Sequence, residues 1–139
     1  MEVLGIESKS FPNPWTKDMF ETIHYINPKG FYIAEIERTI VGYAVLLTER
    51  AWKHWSKNRT AHLLNLAVHP MHRRQGIGTL LMKRILNDLK TLKISEIYLE
   101  VRASNSKAIA LYSNLGFEIR GEIRGFYKNE DAQVMALKL

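Results

Sequence analysis

The chain has 139 residues, 46% hydrophobic and 24% charged, the balance of an ordinary globular protein with one core. A formal charge of +6, from 20 Lys and Arg against 14 Asp and Glu, favours an anionic partner; the basic residues are scattered, so a polyanionic cofactor explains the excess as well as nucleic acid does. There is no cysteine, which excludes disulfides, thiolate metal sites and a cysteine nucleophile. No apolar run reaches the roughly 18 residues of a membrane span. Met1-Glu2-Val3-Leu4 lacks the basic-then-apolar layout of a signal peptide. The expectation is a single cytoplasmic domain over residues 1–139, with no membrane contact.

Residues 2–9 read as a short helix that Phe11-Pro12-Asn13-Pro14-Trp15 cannot continue, because proline removes donors and fixes φ. Thr16 is a good N-cap for a second helix from Lys17 to about Tyr25, with Met19, Phe20 and Ile23 spaced for one face. Asn27 to Gly30 is a loop. Phe31–Ile36 and Ile40–Leu47 are rich in β-branched and aromatic residues, and Glu37-Arg38-Thr39 joins them as an antiparallel hairpin. His62–Val68 is apolar at nearly every position, as in a central strand covered on both faces.

A helix from Gly78 to Leu92 follows, with Leu81, Ile85 and Leu89 on one stripe, flanked by Met82, Leu86 and Leu92. Ile97, Leu99 and Val101 alternate with Glu96, Tyr98 and Glu100 as a strand. Residues 104–115 place Ala108, Leu111, Tyr112 and Leu115 at helical spacing, and Gly116 suits the C′ position. Phe117–Arg124 and Gln133–Leu139 complete the strands, with a turn near Asn129-Glu130-Asp131. The fold class is α/β with a mixed sheet, and the unit over residues 62–101 implies a right-handed crossover and a parallel pair.

The chemistry concentrates where the central strand ends. His69-Pro70 stops it, and Arg73-Arg74-Gln75-Gly76-Ile77-Gly78 leads into the long helix. Such a turn offers unpaired backbone N–H groups beside a helix dipole, which suits a phosphate or diphosphate. It is no P-loop, because Gly-Lys-Ser/Thr is absent, and no dinucleotide fingerprint, because Leu81 stands at the third glycine position. On residues alone, Arg73 and Arg74 are either solvated turn cations or phosphate ligands. Glu100 is either a solvent-facing strand carboxylate or a general base. Tyr112 lies on an apolar stripe and is either a core tyrosine or a proton donor. His62, His69 and His72 form no metal spacing with an acidic partner and read as structural or surface groups, so no metal is expected.

Four segments together resemble the GNAT acetyltransferases, and more closely their RimI-type protein N-terminal branch: Leu64-Asn65-Leu66-Ala67-Val68-His69-Pro70, Arg73 to Gly78, Leu99-Glu100-Val101-Arg102-Ala103-Ser104-Asn105, and Ala110-Leu111-Tyr112-Ser113-Asn114-Leu115-Gly116-Phe117. Pro14-Trp15, Glu130-Asp131-Ala132 and Met135-Ala136-Leu137 fit the same group. The resemblance implies a GNAT fold, here lacking the strand that members usually place before the first helix. It implies acetyl-CoA as co-substrate and a free amine as acceptor. Leu66, Ala67 and Val68 would pair through their backbone with the pantetheine arm where the central strand splays from its neighbour, with the Val68 N–H as oxyanion donor. The amides of Arg74, Gln75, Gly76, Ile77, Gly78 and Thr79, with the Arg73 and Arg74 side chains, would hold the diphosphate. Glu100 would be the base and Tyr112 the acid protonating the CoA thiolate. Asn105 would either cap its helix or bond the cofactor. Tyr127, placed in the loop between the last two strands, would line the acceptor groove or pack that loop.

An α-amine titrates near 7.7–8.0 and lysine near 10.4, so freeing the neutral nucleophile at pH 7 costs about 1 kcal/mol for the first and about 4.6 for the second. One carboxylate suffices for the easier task. The leading expectation is acetylation of a protein N-terminus, of ribosomal-protein or nascent-chain type, by a monomer or homodimer with possible ribosome association. The alternatives are a GNAT enzyme acting on a small amine or internal lysine, and a non-catalytic RNA- or ribosome-binding module using Trp52, Lys53, Trp55, Lys57 and Arg59.

Overall fold

A computed structural model describes residues 2–50 and 59–139, with the backbone alone at 49 and 50. Trp52, Lys53, Trp55 and Lys57 lie outside the described residues. The chain runs α1 (Glu2–Ser10), α2 (Lys17–Ile26), β1 (Phe31–Ile36), β2 (Thr39–Arg50), β3 (Arg59–Val68), α3 (Ile77–Thr91), β4 (Glu96–Arg102), α4 (Ser106–Asn114), β5 (Glu118–Tyr127) and β6 (Glu130–Lys138). The strands form one mixed sheet in the order β1-β2-β3-β4-β6-β5. Among the described residues no strand precedes α1, and no helix is long and apolar enough to cross a membrane. Two compact units divide the chain: Met1–Leu47 with Leu64–Asn87, and Thr48–Leu63 with Asp88–Leu139.

In the first unit, Val3, Ile6, Phe20, Tyr43, Val45 and Ala67 form the core, with Phe11, Trp15 and Ile23 against it. The Thr16 hydroxyl caps α2 by accepting from the Met19 N–H at 3.3 Å, as its residue type predicts. Of the expected α2 face, Phe20 is buried and Ile23 partly so, but Met19 is 46% exposed, so the stripe is narrower than its spacing implied. One charge sits inside this core. The Glu7 carboxylate accepts from the Trp15 N–H at 2.9 Å, from the Asn65 amide at 2.8 Å and from the Tyr43 hydroxyl. Burial, then Glu7, pushes the Tyr43 phenol far above its usual range, so it remains a donor. This network ties α1, the segment before α2, β2 and β3 together.

The β1–β2 hairpin is antiparallel as expected. Its turn residues Glu37 and Arg38 both have positive φ, 48° and 66°, a conformation that matches strand twist but that L-residues other than Asn and Gly adopt at a cost. Replacing Arg38 with glycine is therefore expected to stabilise the protein by up to about 1 kcal/mol, read as a rise in the urea midpoint at unchanged m-value.

In the second unit, β4 alternates as the sequence implies: Ile97, Leu99 and Val101 are buried, while Tyr98, Glu100 and Arg102 are only partly so. β3 and β4 are parallel, from Thr60↔Glu96 to Leu63↔Leu99. β4 then pairs antiparallel with β6 over seven residues. The closing hairpin departs from expectation. β5 continues to Tyr127 and β6 starts at Glu130, leaving Lys128-Asn129 as the turn. Register shifts at Ile119/Gly121 and Ile123/Tyr127, with Gly125 at φ 64°, absorb extra residues without ending the strand. Leu92, expected to flank the α3 stripe, is 55% exposed because α3 ends at Thr91.

Candidate active site

The first unit holds the turn between β3 and α3. A short 3₁₀ turn, Pro70–His72, follows β3. Arg74 then has φ 63° and Gly76 φ 77°. The first α3 hydrogen bond runs from the Leu80 N–H to the Gly76 carbonyl at 2.9 Å, so the amides of Ile77, Gly78 and Thr79 open the helix without intrahelical acceptors. Gln75, Arg73 and Arg74 are exposed, and Ile77, Gly78 and Thr79 are partly so. A side chain added at Gly42 would stand 3.2 Å from the Ala67 carbonyl and 3.4 Å from Ile77 and Leu81, so glycine there lets the helix start sit close on the sheet.

Arg73 bonds the Val68 carbonyl through Nε at 3.0 Å and the Ser10 hydroxyl at 3.0 Å, bracing the turn against β3 and α1. Lost hydration, then the charges of Lys9, His72 and Arg73, hold His69 below the ordinary histidine value, which marks a positive field beside the turn. Amides and field together fit a diphosphate. Gly76→Ala would meet no atom within 4 Å, so its cost is confined to the backbone. At about 1–2 kcal/mol for a left-handed L-residue, acetyl-CoA affinity should fall roughly 5–30-fold by calorimetry, with little change in the far-UV spectrum.

Leu66, Ala67 and Val68 lie at the end of β3, with Ala67 buried and the other two partly so. The β3–β4 ladder ends at Leu63↔Leu99, although β3 runs on to Val68 and β4 to Arg102.

The second unit holds the residues expected to act as base and acid. Glu100 Oε2 lies 2.5 Å from His62 Nε2, and both side chains are under one-fifth exposed. His62 also stacks on Tyr98, ring centroids 4.3 Å apart. Glu100 is thus a held carboxylate rather than a solvated one. The sequence reading of His62 as a lone structural or surface histidine is corrected: it is the partner of Glu100. The register puts His62 beside Tyr98, and strand alternation puts Glu100 on that same face.

Tyr112 is 7% exposed and packs on Phe117, centroids 5.5 Å apart. Burial, then Tyr127, pushes its phenol well above the usual value, so it is protonated at neutral pH. Asn105 caps α4, accepting from the Ala108 N–H at 3.2 Å, which realises the cap reading of that residue. Tyr127 is the last residue of β5 rather than part of a loop. Burial raises its phenol; Arg102 works against that, and Glu100 and Glu130 add to it, so Tyr127 lies within electrostatic reach of Glu100 and Tyr112 alike. Among the described residues no cluster of three or more His, Asp or Glu could hold a metal.

Comparison with known proteins bears on this constellation. Residues 1–117 match the family model described as Acetyltransferase (GNAT) family. An N-alpha-acetyltransferase of Sulfurisphaera tokodaii is 37% identical over 116 residues, 79% of this chain and 70% of that protein. A [Ribosomal protein bS18]-alanine N-acetyltransferase of Escherichia coli K12 is 42% identical over 83 residues, 57% of this chain and 56% of that one. The crystal structure of Ard1 from Thermoplasma volcanium superposes with a TM-score of 0.87 at 26% identity, covering 98% of this chain and 88% of the other.

Proposed function

The chain belongs to the GNAT acetyltransferase family, and from that premise we propose that it transfers the acetyl group of acetyl-CoA to the N-terminal α-amine of a protein. The observation that carries this reading is the His62–Glu100 pair, a fixed carboxylate in the same unit as a buried, protonated Tyr112. The relatives named for α-amine acetylation support the acceptor class. A cytoplasmic acceptor, a ribosomal protein or a nascent chain at the ribosome, fits the bS18-alanine relative.

Acetyl-CoA supplies the activated thioester. The amides of residues 74–79 hold its diphosphate, and the backbone at Leu66 to Val68 aligns the arm that carries the acetyl group. Glu100 accepts a proton from the acceptor ammonium, directly or through a water, and His62 fixes the carboxylate that does so. The neutral amine attacks the carbonyl carbon, forming the C–N bond, while the Val68 N–H receives the developing oxyanion. As the C–S bond breaks, Tyr112 donates its proton to the thiolate. The nitrogen sheds its second proton, which returns the tyrosine to its phenol form, and Glu100 passes the first to solvent. This leaves the neutral amide, free CoA thiol and one released proton. The chain has no cysteine, and the amine attacks directly in a ternary complex.

The test is acetylation of two peptides that each contain an internal lysine and differ only in a free or blocked N-terminus. Mass spectrometry should place the label on the α-amine of the free peptide and leave the blocked one unmodified. Label on the lysine of both would overturn the α-amine assignment.

A further inference from the structure

Arg102 is two residues beyond Glu100 on the same face of β4, and it is not needed for the proton transfers above. Its guanidinium carbon lies 4.2 Å from the centroid of the Tyr127 ring. Phe126 packs perpendicular to that ring, centroids 5.0 Å apart at 87°. Arg102 thus covers one face of the Tyr127 ring, and Phe126 packs against the same ring.

Glu130 holds the cation in place. Its Oε1 lies 3.5 Å from Arg102, and its Oε2 accepts from the Ser104 N–H at 2.6 Å. The Ser104 hydrogen bonds and then Arg102 keep the Glu130 carboxyl below the usual range, so it stays ionised. Beside it, Asp131 accepts from the Gly125 N–H at 2.8 Å, and its carbonyl accepts from the Ala103 N–H at 3.1 Å. The Glu130-Asp131 pair thus fastens the strand that ends in Tyr127 to the segment after β4.

We propose that Arg102, held by Glu130, is a positioning residue that fixes the Tyr127 ring for recognition of the acceptor peptide. This rests on the reading of Tyr127 as an acceptor-lining residue. A cation over an aromatic face, partly desolvated as here, is worth about 0.5–2 kcal/mol. Loss of that restraint appears in binding of the peptide rather than in chemistry.

The experiment is steady-state kinetics on wild type, Arg102→Met, Arg102→Lys, Glu130→Gln, Tyr127→Ala and the Arg102→Met/Tyr127→Ala double variant, with a melting temperature for each. Arg102→Met should raise the peptide KM roughly 3–30-fold, with kcat and the acetyl-CoA KM nearly unchanged. Lysine, which keeps the charge without the flat guanidinium, should restore part of the loss, and Glu130→Gln should show a smaller rise of the same kind. On the Tyr127→Ala background, Arg102→Met should add nothing. Tyr127→Ala raising the peptide KM while Arg102→Met leaves it at the wild-type value would sink the positioning role and spare the acceptor reading. Independent, multiplying effects of the two substitutions would do the same. A wild-type peptide KM in Tyr127→Ala would remove Tyr127 from the acceptor site, and the proposal with it.

Discussion

Glu100→Gln is expected to lower kcat/KM for a peptide acceptor by about 10²–10³-fold at neutral pH. The amide keeps the size and hydrogen-bonding reach of the carboxylate, and the 2.5 Å contact with His62 retains an acceptor oxygen. What disappears is a group able to take a proton from the acceptor. Acetyl-CoA binding should survive, because the turn proposed to hold the diphosphate lies on other residues. The defect should also shrink as pH rises through the amine's own titration near 7.7–8.0, since a larger fraction of the peptide then arrives already neutral. A pH series of kcat/KM measures this. A loss that stays constant from pH 6 to pH 9 would mean that Glu100 serves some purpose other than deprotonation.

Tyr112→Phe should reduce kcat by about 10²-fold while acetyl-CoA affinity changes little. The ring remains to pack on Phe117, so the substitution removes one oxygen and leaves the core intact. The phenol is 7% exposed and its pKa is driven upward by burial and by Tyr127. A group whose folded-state pKa is raised holds its proton to higher pH. The wild-type kcat should therefore show no alkaline decline attributable to Tyr112 below about pH 10, the ordinary tyrosine value. Single-turnover measurement separates the chemical step from product release. An unchanged single-turnover rate in the phenylalanine variant would remove Tyr112 from the mechanism.

Local periodicity made much of the fold legible. The α3 stripe of Leu81, Ile85 and Leu89 and the β4 alternation of Ile97, Leu99 and Val101 are each contained within one element, and both are buried as the spacing implies. Thr16 and Asn105 act as caps because an N-cap needs only a side-chain oxygen and the next turn. His62 escaped for the opposite reason. Its partner is 38 residues away, and only the parallel register of β3 with β4 brings the two together. No window of sequence carries that register. Tyr127 falls within β5 rather than in a loop, because register shifts, with Gly125 at positive φ, carry the strand past Arg124, and such irregularities depend on the partner strand. Arg102 and Glu130 were visible only as parts of motifs, since their pairing also depends on neighbouring strands.

The carboxylate of Glu7 has a consequence for how the polypeptide tolerates being shortened. Trimming away the first ten residues would strip the buried hydroxyl of Tyr43 of its acceptor and the partly buried amide of Asn65 of its principal one, and would remove Val3 and Ile6 from the core. Each orphaned group costs about 1–3 kcal/mol, a large share of the margin by which a domain of this size stays folded. Alternative translation starts or N-terminal proteolysis beyond Glu7 should therefore yield not a leaner catalyst but a species destined for degradation.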